Sequence, residues 1–379
     1  MNRFLAYAKS KQAELIALLR EMVECESPSD DPAAVNRFVD LMAARVSGLA
    51  KVRTFPGGAF GRHMQIEFEL GGAKKSGRIL ALGHSDTVWP LGTLRQMPFR
   101  MEEGRLWGPG VLDMKAGVAF FVFAMQALRD LDIAVKRKVV LQLNADEEVG
   151  SESSRPLTEK EARRSVAVLV LEPGTGLSGK LKTARKGVGG YEVSVKGVAA
   201  HAGVDFSAGA SAILELARQI DRISSFTNLD RGLTVNPGVI SGGTRSNVIA
   251  AEASAVVDIR IARLKDFPAL DRKFRSLKPF DKRCAIGVSG GLNRPPMERG
   301  KGVVELFQTA SKLAAGIGLK LEESMTGGGS DGNFTAALGV PTLDGLGGVG
   351  EGAHAVHESI LIDRIADRTA LLAGLVASI

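Results

Sequence analysis

The stretch from Arg78 to Val88, RILALGHSDTV, constrains this chain more than any other. It opens on an uninterrupted apolar run, Ile79 to Leu82. Such a run, without polar alternation, reads as a strand buried on both faces, as in a parallel sheet covered by helices. It stops at Gly83 and presents His84, Ser85 and Asp86. Ligands of α/β sheets gather at the carboxyl ends of strands. Residues two apart in an extended chain point the same way. His84 and Asp86 can therefore address one point, the imidazole as a ligand and the carboxylate as the group that fixes its tautomer. Alone, the same residues also describe a strand running into a polar loop, and the rest of the chain has to decide.

Two more buried strands end alike. Val139–Leu143 runs into Asn144-Ala145-Asp146-Glu147-Glu148, and Val166–Leu171 into Glu172-Pro173. Between the first two strands lies Lys115–Leu131, an apolar helix buried round most of its circumference. Ahead of them, residues 2–24 have apolar side chains at helical spacing. Asp31 caps a second helix that has Pro32 at its first position and runs to about Leu49. Residues 51–55 and 65–70 read as strands. Helices alternating with apolar strands argue an α/β fold. After about Leu181 the texture changes. Tyr191–Lys196 alternates as a half-exposed strand, Ser211–Ile223 is a helix, and Leu233–Ile240 and Ala251–Ile261 are strands, as in an inserted antiparallel sheet with helices on one face. The parallel-type pattern returns from Gly302, with a helix over Val303–Ala315, the glycine-rich TGGGSDGN, apolar Val340–Leu343 and GEGAHAVHE.

A chain of 379 residues exceeds what one core usually serves, so two domains are expected. The net charge is +7, but no Lys/Arg block or aromatic-interleaved basic stripe occurs, which argues against nucleic acid as a partner. A basic balance instead suits steering of a small anionic substrate. Cys25 and Cys284 are the only cysteines. They make no disulfide framework, so a reducing, cytoplasmic compartment is expected. The N-terminus carries Lys and Glu through its apolar positions, as an amphipathic helix does and a signal peptide does not. No run reaching the roughly 18 apolar residues of a membrane span is evident, so no membrane partner is expected.

The strand ends thus collect His84, Asp86, Glu147, Glu148 and Glu172, while Asp113 and His354 sit in glycine-punctuated turns. Converging carboxylates repel one another unless protons or cations intervene. This many carboxylates with two imidazoles is a ligand stock for two divalent metals and a bridging carboxylate. Adjacent Glu147 and Glu148 point opposite ways if extended, so one can bind metal while the other faces substrate as a base. Read singly, DEEVG is an acidic helix start and Asp113 a turn aspartate. Co-occurrence argues otherwise. Of five histidines, His84, His201, His354 and His357 all lie in strand-end or glycine-punctuated settings.

The motifs GHSDTV, GPGVLDMKAG, NADEEVGS, LEPG, VKGVAAHAG, SNVIAAEASAVVDIR, TGGGSDGN and GEGAHAVHE, in this order from Gly83 to Glu358, resemble the M20 family of metallopeptidases, within it the glutamate carboxypeptidase branch. The resemblance implies a catalytic domain with a mixed, largely parallel sheet flanked by helices, over residues 1–184 and 294–379. It also implies an inserted α+β lid over 185–293 that makes a homodimer. It implies two zinc ions, with cobalt or manganese as substitutes: one on His84, Asp113 and Glu172, the other on Asp113, Glu148 and His354. Asp113 then bridges, Glu147 is the general base, and Asp86 supports His84. His357 is the runner-up to His354. The peptide after Asp113 is expected to be cis.

In the lid, His201 matches a histidine that reaches the partner's active site and steadies the oxyanion, and Asn247 matches a substrate contact. Arg294, Lys180 and the backbone of Gly328 and Gly329 resemble the site for the substrate's C-terminal carboxylate. The implied activity is hydrolysis of the amide to a C-terminal amino acid, glutamate or similar, in a peptide, folate or N-acyl conjugate. A deacylase of acetylated or succinylated amino acids is the neighbouring reading. An inactive homologue kept as a binding protein would show broken ligand positions, and none is broken here.

Overall fold

The computed structural model describes residues 3–72 and 75–379. Contacts divide the chain into two compact units. One comprises Met1–Ala184, Arg299–Met325 and Ser330–Ile379, the other Arg185–Glu298 and Thr326–Gly329. The return to the first unit falls at Glu298/Arg299 rather than after Asn293. The strand Ala285–Arg294 stays in its ladder up to Arg294, and Met297 then pairs with Arg185. Thr326–Gly329 goes with the second unit because the Arg185 guanidinium donates to the carbonyls of Gly328 (3.1 Å) and Gly329 (2.9 Å).

The first unit is built on a sheet of β1 (Ala50–Pro56), β2 (Arg62–Phe68), β3 (Arg78–His84), β4 (Lys138–Asn144), β5 (Ser165–Val170) and a two-residue strand, Thr342–Leu343. The spatial order is β1-β2-β4-β3-β5 and then Thr342–Leu343. β3 lies parallel to β4 and β5, and Thr342–Leu343 parallel to β5. β1 and β2 form the antiparallel edge. β3, β4 and β5 are the apolar runs of the sequence, buried on both faces. Their carboxyl ends, from which His84, the Glu147–Glu148 turn and Glu172 emerge, are therefore neighbours.

Helix α1 (Ala116–Asp130) is buried nearly all round. Counted with the turn before it, it spans Val111–Asp130, long and apolar enough to cross a membrane, which corrects the expectation that no such stretch exists; 89% of its apolar window lies inside the protein. A core helix meets the same requirement for an apolar circumference. α2 (Ile365–Ser378), not foreseen, packs on α1 and is buried along most of its length. The first expected helix is parted at Lys11 into Arg3–Ser10 and Gln12–Glu24, although Lys11 and Leu15 keep helical hydrogen bonds across the join; residue 2 lies outside the described residues. The cap on the helix Pro32–Val46 is as expected, with Asp31 accepting from Ala34 N at 2.9 Å.

The second unit is a four-stranded antiparallel sheet of β6 (Gly187–Lys196), β7 (Thr234–Gly242), β8 (Glu252–Ile261) and β9 (Ala285–Arg294), in the order β7-β8-β6-β9. The helices Ala212–Ser224 and Phe267–Arg275 cover it. The sequence offers no clear signal for β9. It contains Gly287, Gly290 and Gly291 and leaves much of its length exposed, so apolar alternation is weak. Tyr191 and Phe274 stack at 3.9 Å between ring centroids in the core beneath.

Candidate metal centre and active site

His84 ends β3 and is buried. Its Nδ1 lies 2.8 Å from the Asp86 carbonyl oxygen. A carbonyl can only accept, so Nδ1 carries the proton and the Nε2 lone pair is left for a cation. This corrects the expected support: the Asp86 carboxylate is 3.6 Å from Nδ1 and has another use. Its oxygens accept from Glu147 N (3.3 Å), Glu148 N (3.2 Å) and Ser29 Oγ (2.7 Å). Asp86 thus holds His84 through its backbone and the Glu147–Glu148 turn through its side chain. Burial pushes its carboxyl up to about 6, against the His84 charge and the Ser29 bond.

Glu147 and Glu148 are not extended, as the opposite-facing expectation required, but form a tight helical turn, Glu147–Val149, at the end of β4. Both are half-buried. Glu172 follows β5, where the chain passes close to α1. A Cβ on Gly117 would lie 2.0 Å from the Leu171 carbonyl oxygen, and one on Gly347 would lie 2.1 Å from it. Only glycine at both positions lets the end of β5 approach so closely.

Asp113 departs from helical geometry in the turn Val111–Lys115, and its peptide to Met114 is cis, as expected. The turn is held by a residue that sequence reasoning left unassigned. Glu358, fully buried, accepts from Leu112 N (2.8 Å) and Asp113 N (3.0 Å) on one oxygen, and from Gly110 N (2.9 Å) and Trp89 Nε1 (2.7 Å) on the other. Burial raises its carboxyl pKa despite these donors. A glutamate following His354 by four residues, inside a glycine turn, was the only available sign. His354 itself lies at φ +62°, an uncommon conformation for a non-glycine residue.

The ligands fall into two groups that share one carboxylate. His84, Asp113 and Glu172 place one donor atom each within 4.8 Å of the others, and so do Asp113, Glu148 and His354. Asp113 Oδ1 is 3.1 Å from His84 Nε2, while Oδ2 is 3.4 Å from His354 Nε2. Glu172 Oε1 is 3.8 Å from His84 Nε2, and Glu148 Oε2 is 3.2 Å from His354 Nε2. Glu148 Oε1 is buried with no hydrogen-bond partner among the described residues.

Divalent cations fit this donor set: a His84 lone pair fixed by tautomer, a second imidazole nitrogen beside two carboxylates, a carboxylate facing both ways, and a buried oxygen wanting a positive partner. Electrostatics agree. The bonds from Asp113 and Glu148 push His354 up to about 10. For His84, burial pushes the imidazole pKa down, but Asp113, Asp86 and Glu148 outweigh it and raise it well above its ordinary value. Asp113 is held far below the carboxylate range by the two imidazoles, against the pull of its burial. All three shifts favour positive charge beside Asp113.

The remaining expected residues are placed as follows. His357 is exposed, and neither ligand group includes it. Lys180 Nζ forms an ion pair with Glu322 at 2.8 Å. In the second unit His201 is exposed, and its Nδ1 accepts from Gly203 N at 3.1 Å, which leaves Nε2–H as an outward donor. Ala202 N donates to Asn247 O at 3.0 Å, so the His201 and Asn247 loops are joined. Arg294 is buried, and its stem passes 2.9 Å from where a Gly329 Cβ would stand. Gly328 N donates to Thr326 Oγ1 at 3.3 Å.

The model of Peptidase family M20/M25/M40 matches residues 80–378. Carboxypeptidase G2 of Pseudomonas sp. (strain RS-16) is 29% identical over 356 residues, covering 92% of this chain and 84% of its own. Aminopeptidase PepT of Bacillus cereus shares the fold with a TM-score of 0.79 at 22% identity, over 97% of this chain and 98% of its own. Bacillus subtilis YXEP, a dinuclear metal-binding peptidase of family M20, does so with a TM-score of 0.72 at 14% identity, over 98% of each chain. With a family match across most of its length and a ligand cluster at the strand ends, the chain belongs to peptidase family M20/M25/M40 and is a peptide hydrolase.

Proposed function

We propose that this protein is a zinc-dependent carboxypeptidase that cleaves the amide to a C-terminal amino acid, glutamate foremost, in a peptide, folate-like or N-acyl conjugate. The observation that carries this reading is Asp113, whose two oxygens face separate imidazoles, each with its own glutamate. Similarity to carboxypeptidase G2 supports the preference for a C-terminal residue. Charge supports an anionic substrate: the second unit carries seventeen Lys and Arg against eleven Asp and Glu, which accounts for six of the net +7.

His84, Asp113 and Glu172 would hold one zinc, and Asp113, Glu148 and His354 the other. Bound divalent ions lower the pKa of water to about 7 and polarise a carbonyl. Glu147 takes the proton of the attacking water and returns it to the leaving amine. His201, with Nδ1 occupied by Gly203, offers Nε2–H to the oxyanion, across the interface of a homodimer. Loss of such a donor typically costs about 100- to 1,000-fold in rate. Arg294, with Asn247 and the Gly328–Gly329 backbone, binds the substrate carboxylate. The dimer is supported by the open edge of β7, where Val239 and Ile240 are 62% and 59% exposed. An apolar edge strand is a ready template for pairing with another chain.

The test is a hydrolysis screen of N-acyl-glutamates, dipeptides and acetyl-amino acids with zinc-loaded protein, each substrate also amidated at its C-terminus. Amidation should abolish most wild-type turnover and matter little to Arg294→Ala, which should itself lose about 2–4 kcal/mol in kcat/KM. Equal turnover of free and amidated substrates by the wild type would end the carboxypeptidase reading.

A further inference from the structure

His63 takes no part in the metal centre, yet it is a buried imidazole on β2 with both ring nitrogens engaged. Nδ1 lies 3.1 Å from Ala145 N, and Nε2 lies 2.6 Å from Ser153 Oγ. Ser153 Oγ donates in turn to the Gly57 carbonyl at 3.1 Å. The proton count allows one arrangement. Ser153 spends its proton on Gly57, so Nε2–H donates to Ser153, and Nδ1 accepts the Ala145 N–H. A base that already donates to the serine cannot activate it, so this is no nucleophile pair. Ala145 and Ser153 are the two ends of the loop that carries Glu147 and Glu148. Asp146 ties the same loop from inside, accepting from Ser153 N (2.7 Å) and Ser154 N (3.2 Å).

We propose that His63 is a positioning residue: it closes both ends of the loop between Ala145 and Ser153, and so fixes where the Glu147 and Glu148 carboxylates stand. The proposal rests on the reading of Glu147 as base and Glu148 as ligand. Sheet strand β2 is rigid by its ladders to β1 and β4, and His63 passes that rigidity to a loop outside the sheet. An imidazolium would set Nδ1–H against the Ala145 N–H and open one end of the loop. Burial pushes the His63 pKa down, which favours the neutral ring, against the pull of Asp146 and Asp331.

The test uses His63→Leu, which removes both bonds, Ser153→Ala, which removes one, and His63→Asn, whose amide oxygen can still accept from Ala145. In metal-free protein, amides of 145–154 should exchange with deuterium at least ~10-fold faster in His63→Leu, while β3 is unchanged. Zinc titration should show one of two ions weakened about 10- to 100-fold, with the other at wild-type affinity. The kcat should fall about 100-fold with KM nearly unchanged. Ser153→Ala should move all three readouts the same way by less, and His63→Asn should recover part of them. A merely structural histidine would lower the melting temperature without separating the two ions. Wild-type exchange and wild-type affinity for both ions in His63→Leu overturn the proposal; if that variant does not fold, the same result in Ser153→Ala does. A wild-type protein that binds no second ion defeats the reading of Glu148 instead, and loop exchange still decides the role of His63.

Discussion

The proposed chemistry turns on Asp113, because each of its oxygens faces a different candidate ligand group. Asp113→Ala should therefore lose both metal ions in elemental analysis, whereas His354→Ala should lose one and His357→Ala neither. Retention of full metal content by Asp113→Ala would end its bridging role. The imidazoles add a pH dependence. His354 is pushed up to about 10, so without metal its imidazole is protonated at neutral pH, and the carboxylates around His84 raise that group in the same direction. Metal must displace the His354 proton, so affinity rises with pH through the neutral range. Loading the metal-free protein in a lightly buffered solution should release about one proton from His354, and His354→Ala should release about one fewer than wild type.

At the scale of elements, the fold places ligands by strand ends and secures them by carboxylates acting on backbone N–H groups. Glu358 does this for the Asp113 turn and Asp86 for the Glu147–Glu148 turn. The second unit repeats the device with Glu215. From the helix Ala212–Ser224 it accepts from Phe280 N and Asp281 N, each at 3.0 Å, and from Gln219 at 2.7 Å. Burial pushes the Glu215 carboxyl up, but the donors from Asp281, Gln219 and Phe280 prevail and hold it below the usual glutamate value of 4.5. A depressed folded-state pKa means that its stabilisation is present above pH 4.5 and is lost as pH falls through the folded value. Glu215→Ala should lower the stability of the second unit by about 1–3 kcal/mol near neutral pH. The difference from wild type should shrink in acid. Urea unfolding at two pH values measures both, and a difference independent of pH would show that packing, not the carboxylate, matters there.

At the scale of the whole molecule, the division into two units separates the proposed metal ligands and base from the residues proposed to recognise the substrate. His84, Asp113, Glu147, Glu148, Glu172 and His354 belong to the first unit, and His201, Asn247, Arg294, Gly328 and Gly329 to the second. If His201 serves the partner's centre, neither His201→Ala nor Glu147→Gln homodimers should turn over appreciably. Mixing them should restore part of the activity, since some sites in the mixed dimer have both groups intact. A monomer in sedimentation, or no recovery despite proven subunit exchange, would count against it.

The sequence by itself determined the three buried strands, the residues at their ends and the change of texture near Leu181. These signals are local: a strand buried on both faces must be an apolar run, and the ligand follows where that run stops. It could not supply the turn at Glu147–Glu148, the orientation of Asp86 or the role of Glu358, because each depends on which backbone N–H groups a distant loop presents. β9 escaped notice for a related reason, since a glycine-rich exposed strand owes its place to the ladder with β6 and not to its own side chains. His63 is the extreme case. Nothing in RHMQIEF distinguishes a histidine that ties down the loop of Glu147 and Glu148 from one that fills a core, because its two partners, Ala145 and Ser153, stand more than eighty residues away and only the tertiary structure brings them to its ring.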